Sequence, residues 1–127
     1  MSKGPVISIV EDDAAVRAAT ENLVKALGFD VYTFASAVEF LQSHRMAATV
    51  CLISDVQMPN MSGIELQANL ADRGFGIPTI FMTAFPDESV KRRAMDAGAV
   101  GFLPKPFTAS ALIQCIRDAI SQGSGKS

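Results

Sequence analysis

The sequence predicts an α/β fold in which helices cover both faces of a parallel sheet. Three observations lead there. Short apolar, β-branched runs recur five times along the chain. A stretch with helical spacing of apolar residues follows each of them, and the connections between are short. Strands that alternate with helices across short loops require right-handed crossovers, and therefore a parallel sheet buried on both sides.

Taken in order, the first strand is Val6–Val10, followed by Val16, Ala19, Leu23 and Leu27 at helical spacing, with Gly28 as the stop. The second strand is Asp30–Phe34, and Ser36-Ala-Val-Glu39 reads as a capping box opening the second helix. The third strand covers 49–54. After a Pro- and Gly-bearing loop, Ser62-Gly-Ile-Glu65 is a second capping box. The fourth strand is Thr79–Thr83, with Pro86-Asp87 starting a helix that stops near Gly98. The fifth strand covers 100–103, and Thr108 starts a helix whose apolar face is Leu112, Ile113, Ile116 and Ile120. Five such units fit the flavodoxin-like (βα)5 doubly wound sheet of order 2-1-3-4-5, with its crevice at the carboxyl ends of the first and third strands. Periodicity supports the α/β class; the order is inferred from known topologies.

Composition narrows the function classes. A hydrophobic content of 49% against 19% charged describes a single globular domain rather than a disordered segment. The net charge of −2 gives no electrostatic case for direct nucleic-acid binding by this segment. No apolar stretch approaches the ~20 residues of a membrane helix, and the amino terminus lacks the zones of a secretory signal, so a cytoplasmic location is expected. Cys51 and Cys115 are too far apart for a CxxC pair and read as buried reduced thiols. The domain is expected to span 1–121, with 122–127 a flexible tail or truncated linker. The terminal Gly-Lys-Ser is no P-loop, because Ile120 stands where the motif needs glycine.

The chemistry lies at the strand ends. Glu11, Asp12 and Asp13 follow the first apolar run, and Asp55 follows the third. Two neighbouring parallel strands would crowd these carboxylates into one pocket, which is costly unless a cation sits among them. Asp55 opens Asp-Val-Gln-Met-Pro-Asn-Met-Ser-Gly; Thr83-Ala84 follows the fourth strand and Lys105-Pro106-Phe107 the fifth. Each piece is weak alone, but the ordered combination resembles the receiver domain of two-component response regulators, from about Val6 to Ile120.

That resemblance implies a phosphorylation-driven switch. Asp55 is the implied phosphoacceptor, charged by a sensor histidine kinase or phosphotransfer protein in a phosphorelay. Glu11, Asp12, Asp55 and the backbone carbonyl of Gln57 are the implied holders of Mg2+, with Asp12 ligating directly and Glu11 through water. Thr83 and Lys105 would bind phosphoryl oxygens beside Ala84, and Gln57 and Phe85 would tune the lifetime of the phosphate. Thr83 and Phe102 would carry the switch to the surface of the fourth helix, fifth strand and fifth helix, where dimerisation or an output domain would respond. The Lys105–Pro106 bond is cis in the family. No enzymatic activity beyond slow self-dephosphorylation is implied, and neither membrane nor nucleic acid is a partner.

Two departures stand out. Glu11 is one methylene longer than the family's usual aspartate, and Phe102 lacks the hydroxyl of the tyrosine common at its position. Asp13 reads as a solvated residue favouring the following helix N-terminus, Met58 and Met61 as loop packing, His44 as a surface residue, and Arg92 and Arg93 as a solvated helix face. The rival readings are a pseudo-receiver that binds a partner without being phosphorylated, and an aspartyl-nucleophile phosphatase. The phosphatase would need an aspartate where Gln57 stands.

Overall fold

The structure, a computed structural model, describes residues 5–124. Five strands, β1 (Val6–Val10), β2 (Asp30–Phe34), β3 (Thr49–Asp55), β4 (Thr79–Thr83) and β5 (Gly101–Pro104), alternate with five helices. The helices are α1 (Ala14–Ala26), α2 (Ala37–Gln42), α3 (Gly63–Asp72), α4 (Glu88–Asp96) and α5 (Ala109–Ser124). All strand pairs are parallel and the order is β2-β1-β3-β4-β5. The five-unit alternation and the inferred order both hold.

Alternation along the strands divides the core. Ile7, Ile9, Cys51, Ile53, Ile80 and Met82 pack with Val24 of α1 and with Leu112, Ile116 and Ala119 of α5 on one face. On the other face, Val10 and Leu52 meet Phe40 of α2 and Leu66 and Leu70 of α3. A smaller cluster there joins Val56 and Phe81 to Val90 and Ala94 of α4, with Phe102 of β5 packed against it.

Local chemistry sets the helix starts. Ser62 accepts the Glu65 N–H and Glu65 reaches back to the Ser62 N–H, a complete capping box. Ser36 likewise accepts from Glu39, but the Glu39 carboxylate returns to the Ala35 N–H, one residue earlier than the sequence pattern implies. Asp87 caps α4 and Asp13 caps α1. Gly28, Gly74 and Gly98 take the left-handed conformation just past α1, α3 and α4, which glycine adopts without a Cβ penalty.

Two further details differ from the sequence pattern. The buried stripe of α1 is Thr20 and Val24, with Val16 and Leu23 half-buried, while Ala19 and Leu27 are exposed. The reason is polar: the Thr20 hydroxyl donates to the Val16 carbonyl, so a threonine is buried without an unmet hydrogen bond and the contact face turns toward it. Helical backbone also continues through Ser124, and residues 125–127 of the expected tail lie outside the described residues. No described helix is long and apolar enough to cross a membrane.

Candidate functional site

Strand register assembles the site. Val10 of β1 lies beside Ser54 of β3, so the next residues, Glu11 and Asp55, emerge together at the carboxyl edge. Asp55 pairs with Met82, which puts Thr83 one step further along, and Thr83 pairs with Pro104, so Lys105 is next off β5. Loop hydrogen bonds hold this edge: Glu11 N–H to Phe34 O (3.0 Å), Val56 N–H to Met82 O (2.9 Å) and Lys105 N–H to Thr83 O (2.8 Å).

Oxygens of Glu11, Asp12 and Asp55 lie within 4.8 Å of one another. The Lys105 ammonium bridges two of these residues, 2.8 Å from Glu11 Oε1 and 3.3 Å from Asp55 Oδ2. Glu11 is fully buried and Asp55 nearly so, whereas Asp12 is exposed. Burial pushes the Glu11 carboxyl above its ordinary value, against the opposing pull of the Lys105 hydrogen bond and the Asp13 N–H. Burial opposes the Lys105 ammonium too. There the hydrogen bond to Glu11 and the charges of Asp55 and Glu11 win, and the pKa stands above the usual lysine value.

Gln57 follows β3, Thr83 ends β4, and Ala84 and Phe85 follow it at the same edge of the sheet. The Thr83 side chain is buried and its oxygen accepts the Phe85 N–H at 2.9 Å, which leaves the hydroxyl proton free to donate among the described residues. The Gln57 N–H points to Asp55 Oδ1 at 3.4 Å, and the Gln57 carbonyl has no hydrogen-bond partner among the described residues. The side chains of Gln57, Ala84 and Phe85 are exposed, Phe85 at 64%. Phe102 is half-buried, and the Lys105–Pro106 bond is cis. Asp13 accepts the Ala15 and Val16 N–H groups as the α1 cap. Met58 and Met61 pack on the second core cluster and His44 is exposed.

Two residues gain a role that the sequence pattern did not suggest. Arg17 donates from Nη1 to the Glu11 carbonyl at 2.7 Å. Gly63 lies so close to Asp55 that a Cβ there would overlap the Asp55 carbonyl oxygen. The glycine that closes the motif therefore serves close approach of α3 to the strand end, rather than the turn alone. A hard, oxygen-seeking divalent cation fits the chemistry of three converging carboxylates, beside which Lys105 already supplies one counter-charge.

The family model described as the response regulator receiver domain matches residues 7–117. The chain belongs to that family. As a receiver domain it is 44% identical over 115 residues to the response regulator protein TmoT of Ectopseudomonas mendocina, an alignment covering 91% of this chain and 52% of TmoT. The transcriptional regulatory protein FixJ of Bradyrhizobium diazoefficiens is 37% identical over 116 residues, covering 91% of this chain and 57% of FixJ. Among solved structures, the response regulator StyR superposes with a TM-score of 0.88 at 42% identity, covering 98% of this receiver domain and 63% of that chain. The structure of FixJ-N gives 0.83 at 35% identity, covering 95% and 96%. The chain spans about half the length of the curated relatives it matches.

Proposed function

We propose that this receiver domain accepts a phosphoryl group on Asp55 from a phosphohistidine of a sensor histidine kinase or phosphotransfer protein, in the cytoplasm and with Mg2+ bound. An Asp55 carboxylate oxygen attacks phosphorus, the P–N bond breaks, and the imidazole keeps the electron pair and takes up a proton. Such transfer depends on in-line positioning and charge neutralisation rather than acid–base help. The observation that carries the reading is the convergence of Glu11, Asp12 and Asp55 within 4.8 Å under the Lys105 ammonium.

Each residue then has a task. Asp12 and Asp55 with the Gln57 carbonyl would hold the cation, and Glu11 would act through water. The bound Mg2+ would draw charge from the phosphoryl oxygens. Lys105 would leave its shared position between Glu11 and Asp55 to pair with a phosphoryl oxygen, and Thr83 would donate its free hydroxyl proton to another. Gln57 and Phe85, exposed at the mouth, would set how readily water attacks and so the rate of slow self-dephosphorylation. A groove of about 490 Å³, lined by Val16, Leu23, Pro106 and Phe107 and reaching Lys105, suits the apolar flank of the donor that brings its histidine to Asp55.

Drawing Thr83 toward the phosphoryl group would free space for Phe102, which lacks a hydroxyl to anchor it, and reshape the surface of α4, β5 and α5. That surface would then dimerise or control an output domain or partner, a population shift set by how much better one state holds the phosphate.

The test is labelling by a small phosphate donor or a phosphorylated kinase. Wild type is expected to label only with Mg2+, and Asp55→Ala not at all. Equal labelling of both would overturn the reading.

A further inference from the structure

Arg17 stands on α1 with an acidic residue four positions away on either side, Asp13 and Glu21. Helical spacing favours a pair with one of them. Neither forms. Glu21 pairs with Lys25 at 3.0 Å, Asp13 spends its carboxylate on the Ala15 and Val16 N–H groups, and Arg17 makes no ion pair among the described residues. Its guanidinium instead turns back across six residues to the Glu11 carbonyl at 2.7 Å.

That carbonyl occupies a particular place. It belongs to the planar peptide joining Glu11 to Asp12, so fixing its oxygen fixes the orientation of the Asp12 backbone. The turn is gripped elsewhere too. The Glu11 N–H donates to Phe34 O, and the Asp13 N–H donates to Glu11 Oε2 at 3.0 Å. Between two restrained neighbours, Asp12 is exposed and its carboxylate has no partner among the described residues. It is an exposed, unpaired oxygen donor on a fixed turn.

We propose that Arg17 is a positioning residue for the cation site, holding the turn of residues 11–13 so that Asp12 meets Mg2+ in a preset orientation. The inference rests on the cation site of the proposed function. Groups that orient metal ligands typically contribute 10–100-fold to affinity. The guanidinium charge acts in the opposite sense, since a cation near the site repels another. Positioning and field therefore predict opposite results when Arg17 is removed.

The experiment is a MgCl2 titration of the metal-free protein, followed by amide NMR shifts or calorimetry, with melting in EDTA as the check on folding. Arg17→Met is expected to weaken Mg2+ binding about tenfold, and Arg17→Lys, which keeps a donor and the charge, to weaken it less. Arg45→Met, which removes a guanidinium lying 4.2 Å over the Tyr32 ring, should leave the affinity unchanged. Unchanged or tighter binding in Arg17→Met, or an equal loss in Arg45→Met, would overturn the role of Arg17. If wild type itself bound no Mg2+, the cation site would fail rather than its support. Should Arg17→Met not fold, Arg17→Gln is read by the same criteria.

Discussion

Lys105 is the only cation within ion-pair distance of Glu11 or Asp55 among the described residues, and it touches both. Glu11 has no exposed side-chain surface, so losing the ammonium leaves a buried carboxylate without its counter-charge. Breaking a buried pair costs ~3–5 kcal/mol, and the 15% exposure of the Lys105 side chain reduces that. Lys105→Met in EDTA is expected to lose about 2–3 kcal/mol in denaturant unfolding, by the same reasoning. Burial also separates the two thiols. It lifts the Cys51 thiol from 9.0 to about 12, and lifts Cys115 above its usual value as well. A raised folded-state pKa means the native chain keeps a proton the unfolded chain has released. The stability from Cys51 is therefore complete below pH 9.0 and declines as pH climbs toward about 12. The unfolding free energy measured across that window should fall less steeply in Cys51→Ala than in wild type. Single residues were also where sequence pattern reached least far. Glu11, Asp12, Asp55, Thr83 and Lys105 were legible because each ends or closely follows a strand, and strands announce themselves by apolar runs. Arg17 was not, because a long side chain reaching back to a carbonyl leaves no periodic trace.

At the level of elements, the site depends on where α3 begins. The Gly63 N–H donates to the Val56 carbonyl at 2.9 Å, and the missing Cβ lets the helix start sit directly on the Asp55 peptide. The Ser54 hydroxyl, donating to the Asp55 carbonyl at 3.0 Å, closes the same spot. Gly63→Ala must push strand and helix apart, an overpacking cost of about 1–3 kcal/mol. A lower melting temperature is expected, together with slower labelling of Asp55 beyond what the unfolded fraction explains. Capping residues made the starts of α3, α4 and α5 readable from sequence. The face of α1 was less so, since a buried threonine that satisfies its own hydroxyl looks polar to a hydrophobicity pattern. The end of α5 ran past its last apolar residue into Ser, Gln and Gly, where pattern offers no signal.

For the whole molecule, the carboxyl edge of the sheet gathers negative charge that folding must hold together. A ligand that binds only the folded chain stabilises it by mass action, about 2.7 kcal/mol at one hundred times its dissociation constant. Saturating Mg2+ is expected to raise the melting temperature, and EDTA to reverse the rise. Asp12→Ala should flatten the response while barely changing the metal-free melting point, because Asp12 is exposed and unpartnered. The five-unit architecture was legible throughout, since it rests on repetition. The convergence of Glu11 with Asp55 could be expected from their places at strand ends, whereas the residue-by-residue register could not, because it is set by packing between strands distant in sequence.

The footing of α4 carries a consequence of its own. Of its nine residues only Val90 and Ala94 are buried, and they rest on a small cluster set apart from the larger ones. Sliding this helix would uncover a valine and a methyl group, about 2–3 kcal/mol of apolar cover at the usual rate per side chain. A handful of ionic contacts to one incoming phosphoryl group can match that sum, whereas dislodging α5 would mean prying out Leu112, Ile116 and Ala119 together. The domain is thus hinged by composition: one flank riveted, the other shallowly seated.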